Sequence, residues 1–220
     1  MNAISLLEKD HRAVEAIFQE LEELKGGESP RRKRELCEEL VRELSIHTAI
    51  EEMIFYPEVK KNVPTAKEIV LESLEEHNVV KWELDALQSM KIGDERLDAK
   101  IKVLRDAVMH HVEEEENDLF PRVRDTMQAS TLNDMGRRME QVKKIAPTHP
   151  HPRAPNKPPA NVVIGMGASV VDRTRDAVRS TLRGKESKEE SKDGHRKPKK
   201  RASTRTKRTT AHRGHRAHAR

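Results

Sequence analysis

Aromatic residues are scarce in this chain: one tryptophan, one tyrosine and three phenylalanines among 220 residues. All five (Phe18, Phe55, Tyr56, Trp82, Phe120) precede residue 121. A folded core must therefore be mainly aliphatic and must lie in the first part of the chain. Cysteine occurs once, at Cys37, which excludes an internal disulfide and any CxxC motif, and points to a reducing compartment. No stretch approaches the roughly 20 apolar residues of a membrane span. The opening "MNAISLLEKDH" meets Glu8 and Asp10 before any apolar run long enough for a secretory signal. A cytoplasmic protein is expected, with nucleoid association as an alternative. Ser-His-Asp sets and phosphate-cradling glycine loops are missing too, and "GMG" at 165–167 is too short to replace one.

What is abundant is charge, at 37% of residues, and it is unevenly divided. Residues 1–145 hold 23 Lys+Arg against 32 Asp+Glu, net −9, while residues 146–220 hold 20 against 6, net +14. The chain reads as an acidic folded body with a basic tail.

Helical periodicity dominates the body. A first helix is predicted from about residue 3 to the glycines Gly26 and Gly27, which stop it. A second opens at Ser29 and Pro30 and runs to about Asn62, with Pro57 kinking or breaking it near the end. A third starts with Thr65 and Glu68 as a capping box and ends at Gly93. Asp94 caps a fourth that reaches about Gln128, with Pro121 late inside it, and a shorter fifth follows from a Ser130 or Thr131 cap. Four long helices with short loops imply an all-α, up-down antiparallel four-helix bundle over residues 1–145. Residues 146–161 read as a proline-rich extended linker, 162–184 as a weak amphipathic helix, and 185–220 as a basic disordered tail.

The body repeats itself. "HTAIEEMIFYP" begins at His47 and "HVEEEENDLFP" at His111. Each has a glutamate pair four and five residues after the histidine, an aromatic nine after and a proline ten after. "KDHRAVEAIFQEL" around His11 likewise matches "EEHNVVKWELDAL" around His77. The unit is a helical hairpin, duplicated, and each copy supplies one lone histidine and one His-xxx-Glu pair.

These residues fall inside the apolar stripes. Leu7, His11, Val14, Phe18 and Leu21 share a face, as do Leu40, Leu44, His47, Glu51 and Ile54. The third stripe is Val70, Leu74, His77, Leu84 and Leu87; the fourth is Leu104, Val108, His111, Glu115 and Leu119. One histidine in one stripe would be read as a hydrogen-bonded core residue. Four in register with two glutamates have a different meaning, because buried carboxylates without partners cost several kcal/mol each. Imidazole and carboxylate are donors that first-row transition ions take. Six donors suit two ions, each held by two histidines, with Glu51 and Glu115 bridging. The adjacent acids Glu52, Glu113, Glu114 and Glu116, and His110, are turned away by about 100° per residue, onto the surface or behind the ligands. Trp82 and the methionines read as packing.

A lone His, a His-xxx-Glu, a lone His and a His-xxx-Glu on four helices, with "DH", "EEMIFYP" and "EEENDLFP", resemble the hemerythrin-like HHE cation-binding family over about residues 1–145. The resemblance implies a non-haem di-iron centre with an oxo or hydroxo bridge. It gives His11 and His47 to one iron, His77 and His111 to the other, and Glu51 and Glu115 to both. Manganese or a mixed pair fits the same donors. Oxygen-carrying hemerythrins have His-xxx-His on the third helix, where this chain has Lys81, and an aspartate five after the last histidine, where this chain has Glu115 four after. The pattern is nearer to HHE proteins linked to iron sensing, peroxide handling and stress. The expected small partners are therefore O2, peroxide or another diatomic, with catalase-like activity on one side and a non-catalytic metal-responsive module on the other. Glu15 occupies the place equivalent to Lys81, so a Glu15–Lys81 pair, or Glu15 as an extra ligand, is a further expectation.

Residues 194–220 hold 11 Lys or Arg and no acid. Sequence-independent contact with DNA or RNA phosphates through Lys197, Lys199, Lys200, Arg201, Arg205, Lys207 and Arg208 is one expectation. Without aromatics, base stacking is not. A solubilising tail, or one that grips the acidic body, is the other.

Overall fold

The computed structural model of the chain describes residues 1–24, 29–153 and 169–178. Among these residues there is no strand, and the helices build a bundle. Helix α1 (Ala3–Glu23) packs on α2 (Pro30–Ile50), and α4 (Lys67–Ser89) packs on α5 (Leu97–Glu114). The two hairpins meet through α2 with α4 and α1 with α5. Short helices α3 (Tyr56–Asn62) and α6 (Phe120–Thr126) extend α2 and α5, and α7 (Ala129–Lys143) lies across α1 and α2.

The interior has three layers. One apolar cluster joins Ile4 and Leu7 to Phe55, Val70, Leu119, Phe120 and Met139. A second joins Val14, Phe18 and Leu21 to Leu40, Leu84 and Leu104. In α1, α2 and α4 the histidine falls between a residue of the first cluster and one of the second, and His111 of α5 falls between Val108 of the second and Leu119 of the first, just past the helix end, so the duplicated pattern places a polar layer between two apolar ones.

Several ends differ from expectation. The prolines do not break the second and fourth helices. Glu51–Phe55 and Glu115–Leu119 are instead π-helical turns, each closed by an i→i+5 bond from Tyr56 N–H to the Glu51 carbonyl and from Phe120 N–H to the Glu115 carbonyl. A widened turn just ahead of Pro57 and Pro121 makes room for a ring that has no N–H and would clash with the carbonyl four residues back. Thr65 does not cap α4. Pro64 starts a tight 3-10 turn (Pro64–Ala66), and the cap position passes to Ala66. Gly93 takes φ +98, and Asp94 accepts a hydrogen bond from Arg96 N–H at 2.9 Å, one turn before α5 begins. Helix α7 is capped at Gln128, not at Ser130 or Thr131.

The compact unit runs from Met1 to Val178, beyond the expected boundary at 145. Ala146, Pro147, Thr148 and Pro150 are buried, because Asp172 and Asp176 of the helical stretch 169–178 hold this segment. Thr148 and His149 N–H groups donate to Asp172, and His149 Nε2 faces Asp176 at 2.9 Å. Thus the start of the expected linker is packed, not extended. Gly26 and Gly27, the rest of the linker and amphipathic helix, and the tail residues Lys197, Lys199, Lys200, Arg201, Arg205, Lys207 and Arg208 lie outside the described residues. Trp82 is 48% exposed, not core, and carries the Arg153 guanidinium 5.7 Å from its ring. No helix among the described residues is long and apolar enough to cross a membrane.

Candidate metal centre

The polar layer holds His11, His47, Glu51, His77, His111 and Glu115, with exposures between 0% and 4%. Their inward atoms converge. His47 Nε2 is 3.2 Å and His77 Nε2 3.3 Å from the same Glu51 oxygen. His11 Nε2 is 3.4 Å and His111 Nε2 3.7 Å from the same Glu115 oxygen. Two donors on one ion at ~2.1 Å stand about 3–3.5 Å apart, a spacing that the 3.2, 3.3 and 3.4 Å separations match and the 3.7 Å one exceeds. The donors divide into two groups: His11, His47, Glu51 and Glu115, and then Glu51, His77 and His111.

The outward face of each ring explains the orientation of the inward face. His11 Nδ1 lies 2.9 Å from Glu116, His77 Nδ1 3.0 Å from Glu52 and His111 Nδ1 2.7 Å from Glu76. His47 Nδ1 faces Asp10 at 3.8 Å, a charge contact beyond hydrogen-bond length. A carboxylate at Nδ1 holds the ring proton there and leaves the Nε2 lone pair for the centre. The outer acids are anchored in turn. Lys143 of α7 reaches Asp10 at 2.6 Å, Lys81 reaches Glu52 at 2.6 Å, and Arg12 pairs with Glu116.

Such an interior is unsatisfied by protein alone. His11 Nε2, His47 Nε2, both Glu51 oxygens and Glu115 Oε2 are buried without a hydrogen-bond partner. His77 Nε2 and His111 Nε2 face each other at 3.2 Å. Burial pushes the Glu51 carboxyl well above its usual range, reinforced by the neighbouring Glu115 carboxylate. Burial also opposes charge on Glu115, yet His111, His11 and His47 hold that carboxyl below the usual range. At His47 burial wins and drives the pKa down to about 4. At His111 the facing Glu115 and Glu76 carboxylates outweigh burial and raise it. Cations at the centre would satisfy these orphaned donors.

Tyr56 was not anticipated as part of this centre. Its phenol is buried, donates to Glu115 at 3.0 Å and lies 3.3 Å from His77 Nε2. Burial and then the two glutamates push its pKa well up, so it keeps its proton at neutral pH. Asp10 and Glu76 were also missed. The signal was present: each directly precedes a lone histidine, in "DH" and "EEH", yet each serves the other histidine of its own hairpin. Glu52 and Glu116 do stand behind ligands. The expected Glu15–Lys81 contact is not formed, because Lys81 turns inward to Glu52 while Glu15, half-exposed, pairs with Arg12 at 3.2 Å. Glu15 therefore does not reach the centre. Cys37 is buried, and desolvation lifts its thiol to about 11, so it stays protonated and inert.

A helical bundle whose mid-layer is a buried, carboxylate-backed ring of imidazoles defines a cation-binding protein class. The family model of the Hemerythrin HHE cation binding domain matches residues 2–123. The chain belongs to that family. It is 31% identical over 169 residues to an uncharacterized hemerythrin-like protein of Schizosaccharomyces pombe, covering 76% of this chain and 82% of that one. A protein of a Nostoc species named as a DNA nickase is 25% identical over 127 residues, 58% of this chain but 35% of its own length. The crystal structure of a Hemerythrin HHE cation binding domain-containing protein from Mycobacterium kansasii superposes with a TM-score of 0.55 at 22% identity, covering 66% of this chain and 88% of that one. That likeness bears on the fold.

Proposed function

We propose that the centre holds two iron ions and that the protein handles O2, peroxide or iron itself in a stress or sensing role. His11 and His47 would hold one ion and His77 and His111 the other, with Glu51 and Glu115 shared. The observation that carries this reading is the set of inward Nε2 and carboxylate atoms that are buried and unpartnered. A bound pair of irons would supply Lewis acidity and one-electron exchange toward a small oxidant.

The chain's own residues set the conditions for that chemistry. Glu116, Glu52 and Glu76 orient the rings of His11, His77 and His111 and raise their donor strength, while Asp10 faces His47 from 3.8 Å. The two apolar clusters keep bulk water from the layer. Tyr56 keeps its proton in a hydrogen bond to Glu115, 3.0 Å between the oxygens, and so fixes that carboxylate's orientation. Metal analysis of the protein as isolated should return about two irons per chain, falling by half or more in His47→Ala. Catalytic consumption of hydrogen peroxide by the loaded protein, lost in His77→Ala with helix content retained, would favour an enzyme; metal-dependent folding without turnover would favour a sensing module.

A second reading concerns the tail. The 11 Lys or Arg without an acid in residues 194–220 favour nucleic-acid contact through phosphates. Retention on DNA at low salt should then be lost on deleting 194–220. Retention unchanged by the deletion would end this reading.

A further inference from the structure

The two hairpins provide an internal control for the layer behind the ligands. Three of its four carboxylates have a protein cation: Asp10 has Lys143, Glu52 has Lys81 and Glu116 has Arg12. Glu76 is the fourth. Among the described residues no lysine or arginine is paired with it, and it faces outward toward His110 and Glu114 instead.

The difference between the copies is local. Ile46 and Ile50 of the first hairpin correspond, 64 positions on, to His110 and Glu114 of the second. Ile46 is 6% exposed and Ile50 0%, on the hairpin that α7 covers. His110 is exposed and Glu114 half-exposed, one helical turn apart, with His110 Nε2 3.5 Å from Glu114. This is a third His-xxx-Glu pair, one residue out of phase with His111 and Glu115, and so turned outward by about 100°. Donor atoms of Glu76, His110 and Glu114 lie within 4.8 Å of one another. Glu76 gives one oxygen to His111 Nδ1 at 2.7 Å and so faces both the solvent cluster and an inner ligand.

We propose that Glu76, His110 and Glu114 form an outer site for one divalent first-row transition ion, which serves as the cation that Glu76 otherwise lacks. One imidazole and two carboxylates, with water completing the shell, suit Zn2+, Fe2+ or Mn2+. The ion would join the inner centre through a single continuous path, outer ion to Glu76 to His111. The proposal uses the inner centre only as neighbour, and its test is read separately.

The test is calorimetric titration of Zn2+ into the full-length protein as isolated, whose inner metal content has been measured beforehand, in wild type, His110→Ala and Glu114→Gln. Because histidines elsewhere in the chain would also take up Zn2+, the difference between proteins is the signal. Wild type should bind one equivalent more than His110→Ala, or bind that equivalent at least tenfold more tightly, with Glu114→Gln weakened in the same direction. Inner metal content should be equal in all three. Identical Zn2+ uptake in wild type and His110→Ala would overturn the outer site. An absence of inner metal from all three would overturn the di-iron reading and leave the Zn2+ difference to be judged alone.

Discussion

The first hairpin (α1, α2 and α3) and the second (α4, α5 and α6) derive from one written pattern but are finished differently. Each gives a lone histidine, a His-xxx-Glu pair and a π-turn that starts on the glutamate. Around the first, α7 adds a covering layer, supplies Lys143 to Asp10 and packs Leu132, Met135 and Met139 into the cluster that holds Ile50. Around the second, Glu76 is left facing a solvent-side histidine. At the centre the inequality runs the other way. Tyr56 brings a phenol to Glu115 and His77, whereas its counterpart Phe120 stacks on the His11 ring at 5.8 Å, with 7° between the planes. Duplication fixes where the donors go; the residues that differ between copies decide how each half is supported and where a proton is held.

That comparison can be broken most strongly by removing what both halves share. Chelation of the metal should lower stability by about 4 kcal/mol for each ion whose free concentration stands a thousandfold above its Kd, because six buried polar groups then face one another. Thermal unfolding with and without chelator reads this. A metal-free protein as stable as the loaded one would mean the layer is satisfied without ions.

Next come the two cations that back the lone histidines. Lys81 is nearly buried and Arg12 is mostly exposed, so they are unequal supports. Lys81→Met takes the lysine cation from the buried Glu52 carboxylate, which keeps its contact with His77, and should cost about 3 kcal/mol. Arg12→Met should cost less than about 1 kcal/mol. Urea unfolding of both variants checks the ranking, and equal losses would contradict it.

Gly136 tests the cover over the first hairpin. A Cβ there would stand 2.8 Å from the Asn2 carbonyl carbon and 2.9 Å from the Ala3 nitrogen, and would collide with the Met1 carbonyl oxygen. Backbone cannot yield as a flexible side chain can, so Gly136→Ala should destabilise by about 1–3 kcal/mol. The loss should appear as faster hydrogen exchange in α1 and α7 while α4 and α5 keep their protection.

The smallest effect is in pH. In metal-free protein His47 sits at about 4, below its ordinary value, because burial penalises its charge. The unfolded chain then binds the extra proton first, and this group's contribution is lost as pH falls from about 6.5 toward 4. His111 is raised by Glu115 and Glu76 against burial. Its contribution is full below the unfolded pKa and is lost as pH rises through the folded one. Imidazole NMR of the metal-free protein should show His47 titrating well below His111; coincident titrations would remove the difference between the halves.

Much of this architecture was legible in the sequence. The stripes around His11, His47, His77 and His111 pointed all six side chains into the interior, where the structure buries them together, because a buried charge inside an apolar period is informative without coordinates. The acids behind them were harder to assign. Asp10 and Glu76 are sequence neighbours of the wrong histidine, and only packing of α1 on α2 and of α4 on α5 shows which ring they hold. Pro57 and Pro121 marked the helical irregularity but not its kind, since a kink, a break and a π-turn all solve the same steric problem. Lys81 could have met Glu15 or Glu52 by rotamer choice alone. The packing of residues 146–153 depends on Asp172 and Asp176, more than 20 positions further on, which local composition does not reveal.

The most direct measurement is anomalous scattering at the iron edge from crystals of the protein as isolated. Two peaks in the buried layer are expected, one against His11 and His47 and the other against His77 and His111, with Glu51 and Glu115 reaching both. A single peak, or none between those six side chains, would contradict the paired centre.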